Sequence, residues 1–153
     1  MYLACKHMDD FLKTAESWIE KLKITTQKVK AIPTDTTLTN GWDKRKLYIH
    51  LFGWDKEMIE YAEELRQGKQ FHPFFEEGTD VYNQRFFDEN EGLDISAAED
   101  QFLKKRKEMI SVYEEILTEY PQNNKEFVGF FSLWWHDVHH LEQAGVSVTE
   151  LEE

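Results

Sequence analysis

The chain has 153 residues, 41% of them hydrophobic and 14% aromatic, which excludes a disordered polypeptide and is enough for one core without disulfide support. Eighteen Lys and Arg stand against 30 Asp and Glu, and the formal charge of −12 repels phosphate backbones, so nucleic acid is not expected as a partner. The one cysteine, Cys5, excludes a disulfide framework and a cysteine-based zinc site.

Four long segments carry helical periodicity. The first, about residues 6–29, sets Phe11, Leu12, Ala15, Trp18, Ile19 and Leu22 on one side. Pro33 and the threonine-rich stretch 34–39 end it, and Asn40 or Asp43 can cap the next helix. The second, about 43–66, has the stripe Leu47, Leu51, Trp54, Met58, Tyr61 and Leu65, and Gly68 closes it. The connection 67–95 is far longer than a turn between antiparallel neighbours. It holds Phe71, Phe74, Phe75, Tyr82, Phe86 and Phe87, rings that must cover something, and residues 80–90 can add a short helix. This segment either seals the open side of a bundle or forms one wall of a pocket, and the two roles are compatible. The third long segment, about 96–120, opens with Ser96 and Glu99 in the pattern of a capping box and ends at Pro121. The fourth, about 124–144, stops at Gly145. No strand-like alternation or internal repeat competes, so one all-α domain is expected over residues 1–153. No apolar run approaches membrane-spanning length, and no signal-like start is present. The expectation is a soluble, cytoplasmic protein with no membrane partner.

The most informative stretch is Trp134-Trp135-His136-Asp137-Val138-His139-His140-Leu141-Glu142-Gln143, where three of the six histidines fall within five residues. On a helix His136 and His140 project about 40° apart, a spacing that can bring two imidazole nitrogens to one divalent ion. The glutamate of zinc-protease helices is missing after the first histidine, so this is not that motif. A third ligand must come from elsewhere, and His50 is the candidate, within about 60° of the centre of the second helix's apolar stripe. The fourth helix matches it with a small and polar line, Gly129, Ser132, Leu133, His136, His140 and Gln143, where a bundle normally places leucines. The alternatives are a hydrogen-bonded core histidine at position 50 and a chance pair on an exposed helix.

Trp42 eight positions before His50, Trp54 four after it, and the late run His136-Asp137-Val138-His139-His140 ending at Gln143 resemble the DinB/YfiT-like superfamily. The resemblance implies a four-helix bundle, up-down-down-up, with a long crossover between helices 2 and 3. It also implies a metal site of His50, His136 and His140, with His139 not a ligand, and often a homodimer. Relatives include thiol S-transferases that use low-molecular-weight thiols.

Three neutral imidazoles leave an ion with an open position, the mark of a catalytic or ligand-binding site. Imidazole suits zinc, nickel, copper and iron alike, with zinc or nickel the first candidates. The reading is a metal-dependent thiol S-transferase, with a low-molecular-weight thiol as cosubstrate and a small electrophile lodged against Trp54, Phe74 or Trp135. Its rivals are a metal-dependent hydrolase and a non-catalytic small-molecule or metal-binding stress protein. Catalytic residues are not assigned: Asp137 and Glu142 point away from the ligand face, Cys5 is a poor thiol, and Glu57 and Tyr61 read as ordinary bundle residues.

Overall fold

The computed structural model describes residues 8–68, 78–119 and 133–151, with side chains from residue 13 onward. Every regular element among them is helical: α1 (Met8–Ala31), α2 (Lys44–Arg66), α3 (Thr79–Glu89), α4 (Ile95–Glu119), α5 (Trp134–Gln143) and a 3-10 turn, Thr149–Leu151. An isolated antiparallel bridge pairs Thr37 with Asp43. None of the described helices is long and apolar enough to cross a membrane. The chain groups into two compact units, residues 33–109 and residues 1–32 with 110–153, and α4 contributes to both.

In the unit of residues 33–109, α2 begins where expected. Gly41, with φ of 91°, turns the chain, and the Asp43 carboxylate accepts the Lys46 N–H at 2.8 Å. From Leu47 to Asp55 every residue of α2 is buried, so this stretch is covered on all sides and not along one stripe. Helices α3 and α4 each cover part of it. The Phe86 ring of α3 lies against Gly53, where an added Cβ would sit 2.5 Å from ring atoms. Trp54 packs on Tyr82 and Phe86, with ring centroids 5.6 and 5.7 Å away. Towards α4, Tyr48 packs on Phe102 and donates to the Glu99 carboxylate at 3.2 Å. The buried Arg106 guanidinium donates to Asp55 at 2.8 and 3.3 Å.

Arg45 fastens the far end of α3 to α2. Its guanidinium donates to the carbonyl oxygens of Asn90 at 2.9 Å, Glu91 at 2.7 Å and also Leu93, in the turn that follows α3. The next helix starts two residues earlier than the capping box implied. Asp94, not Ser96, is the cap, and its carboxylate accepts the Ala97 N–H at 2.8 Å while Ser96 lies inside the first turn. A carboxylate there also meets the positive end of the helix dipole, which favours Asp94 over the serine hydroxyl.

In the other unit, Ala15, Trp18, Ile19, Leu22 and Val29 of α1 are buried, as are Trp134, Val138 and Leu141 of α5. The two helices pack together, and among their contacts Thr25 Oγ1 and Asp137 Oδ2 are 2.6 Å apart. Lys28 ties down the terminal segment through the Ser147 carbonyl and an ion pair with Glu150. Residues 120–132, which include most of the first half of the predicted fourth helix, lie outside the described residues. Its end at Gly145 is as expected, with φ of 76°.

Candidate metal centre

His50 is 4% exposed on α2. Its ring meets Trp42 at 4.7 Å and Trp54, edge-on, at 6.5 Å between centroids. Nδ1 of His50 lies 2.8 Å from Oδ1 of Asn83, on α3, and the same oxygen lies 2.9 Å from Nε1 of Trp54. One turn of helix separates His50 from Trp54, so both donors reach a single acceptor on the facing helix.

On α5 the predicted pair is together. The Nε2 atoms of His136 and His140 are 3.2 Å apart, with ring planes at 80°. That separation is the one two nitrogens take on a shared ion with bonds of about 2.0–2.1 Å. Nδ1 of His140 lies 2.8 Å from Oε1 of Gln143; with that oxygen accepting, the His140 proton sits on Nδ1 and leaves the lone pair on the Nε2 that faces His136. Burial pushes the His140 pKa below the usual imidazole value, against an opposing pull from the Gln143 hydrogen bond. A buried imidazole kept neutral is in the form a metal needs. His139 is exposed, and its Nε2 lies 3.2 Å from Nε2 of Gln143. Asp137 is fully buried, and its contact with Thr25 directs it to α1.

His50 and His140 are buried and His136 is half-buried, and all three are imidazoles, a donor type that leaves the metal open. The other predicted site residues have different settings. Trp54 is 8% exposed, with its indole N–H on Asn83. Trp135 is 39% exposed and stacks on Trp134 at 4.3 Å. Phe74 and Cys5 lie outside the described residues. Glu57 and Tyr61 are half-buried on α2.

Sequence reasoning missed Asn83. The signal was present, since two N–H-bearing rings on one buried helical face, His50 and Trp54, require an acceptor nearby. Asn83, one of two adjacent amides between Tyr82 and Phe86 in an aromatic helix, was a candidate. Gln143 was noticed as part of the last motif, without its role as the acceptor for His140. No protein-family model, curated protein or solved structure matches the chain.

Proposed function

We propose that His50 joins His136 and His140 on one divalent ion, zinc or nickel first. On this reading the chain is a DinB/YfiT-like thiol S-transferase of the four-helix, up-down-down-up type, with the α3 segment as its crossover. The observation that carries the reading is the α5 pair, two Nε2 atoms 3.2 Å apart with one ring's far nitrogen held by Gln143. An ion on three imidazoles supplies Lewis acidity at an open position, enough to draw a small thiol toward its thiolate near neutral pH.

The chain's own residues do the rest. Asn83 and Gln143 accept from the Nδ1 atoms of His50 and His140 and so orient both rings. Asp137, the carboxylate nearest the pair in sequence, is turned to Thr25 and holds α5 on α1 instead of serving as a base. This favours thiol transfer over hydrolysis, because a thiolate attacks an electrophile without a protein base. Trp54 and Trp135 offer aromatic surface for the electrophile. The active form is a homodimer of cytoplasmic location that acts on a small molecule.

Elemental analysis of protein purified without a histidine tag tests the centre, with about one metal per chain expected. His140→Ala should lose tight binding and His139→Ala should keep it; full occupancy in the former refutes the centre. A small thiol should perturb the visible spectrum of the cobalt-substituted protein and support turnover of an electrophile. Ester hydrolysis with no thiol present would replace transfer with hydrolysis, and a spectrum indifferent to thiols would leave a passive binder.

A further inference from the structure

The oxygen of Asn83 serves two donors of different character. Trp54 Nε1, 2.9 Å away, only donates, and its hydrogen is fixed in the ring plane. The amide atom facing it is therefore oxygen, because turning the carboxamide over would set N–H against N–H. With its oxygen held there, Asn83 accepts from Nδ1 of His50 at 2.8 Å. The His50 proton then sits on Nδ1 and the lone pair on Nε2. Free histidine in water favours the opposite tautomer, so the contact works against the ring's own preference.

The surroundings keep this relay in place. Trp54 is packed between Tyr82 and Phe86, which flank Asn83 on α3, and Arg45 holds the carbonyls at the end of that helix. We infer that Trp54 is a positioning residue for the metal centre: through Asn83 it fixes the proton of His50 on Nδ1 and turns Nε2 into the donor nitrogen. The purpose of the relay rests on the metal-site reading; the relay itself is testable without metal.

The tautomer of His50 is read by long-range proton–nitrogen correlation NMR on the 15N-labelled, metal-free full chain at pH 8. The wild type should show Nδ1–H. In Trp54→Phe the carboxamide is released to turn, and His50 should shift towards Nε2–H. Adding Asn83→Asp to that variant should restore Nδ1–H, because a carboxylate has no N–H to present whichever way it turns. Zinc affinity should fall about 10- to 100-fold in Trp54→Phe and recover in the double variant. A loss caused only by poorer packing would not recover. Nε2–H in the wild type, Nδ1–H retained in Trp54→Phe, or no recovery in the double variant each overturns the inference. Asn83→Leu removes the acceptor and leaves the indole in place; retention of Nδ1–H there overturns it equally, should Trp54→Phe fail to fold. Failure of the metal-site reading looks different: a wild type with the expected tautomer that takes up no zinc.

Discussion

Gly53 has no room for a side chain, since a methyl group there would meet the Phe86 ring at 2.5 Å, inside any real carbon contact. Gly53→Ala should therefore destabilise by about 1–3 kcal/mol despite the better helix propensity of alanine, read as a lower urea midpoint. Shortening the obstructing ring with Phe86→Leu in that background should recover part of the loss. The Asp55–Arg106 pair is buried on both sides, with side chains only 4% and 3% exposed. Asp55→Ala removes the buried carboxylate from the guanidinium and should cost about 3–5 kcal/mol, whereas replacing both partners with apolar residues of similar volume should cost far less. A double-mutant cycle in denaturant separates the two. His140 sets a pH dependence. Its folded pKa lies below the unfolded value near 6.5, so over that interval the unfolded chain binds more protons than the folded one. This contribution to the stability of the metal-free protein is complete above about pH 6.5 and is lost as pH falls through the imidazole range. Urea midpoints at pH 8 and pH 5.5 should show the drop, and His140→Gln should flatten it; an unchanged slope would assign the effect to other groups.

At the scale of elements, the start of α4 distinguishes two caps. Asp94→Ala should cost about 1 kcal/mol and Ser96→Ala only a few tenths, because only Asp94 accepts the Ala97 N–H. The reverse ranking would restore the capping box. Both residues are good caps by type, and position along the chain does not choose between them; the first hydrogen bond of the helix does. The start of α2 was readable because Asp43 and the turn at Gly41 agree, and α3 was readable from the rings it places at 82, 86 and 87. The His136–His140 pair needed only the pitch of a helix. The need for an acceptor beside His50 and Trp54 was readable, but its assignment to Asn83, 33 and 29 residues away, took the packing of α3 on α2. Complete burial of residues 47–55 was hidden for the same reason. Periodicity reports a helix's most apolar face, and it does not report how many neighbours cover the others.

For the molecule as a whole, the metal should stabilise without being required for folding. The metal-free chain buries Trp18, Tyr48, Phe102, Tyr113 and Trp134 among many aliphatic residues, unlike a zinc finger, and should retain helical circular dichroism. Zinc at 100 times its dissociation constant should add about 2.7 kcal/mol and raise the melting temperature, because an ion held in the folded state shifts unfolding by mass action. A metal-free protein without helical signal would show that the core had been overrated. A melting temperature indifferent to zinc in the wild type, yet helical throughout, would leave the fold intact and remove the centre.

The shared oxygen of Asn83 also gives substitution a direction through time. A lineage that first exchanges Asn83 for aspartate keeps the acceptor, and position 54 is then released to change without losing the ring's orientation. A lineage that changes Trp54 first must pass through a chain whose His50 is turned the wrong way. Among descendants of such a chain, a non-donor at 54 should therefore be found with a carboxylate at 83, while tryptophan at 54 tolerates either residue there.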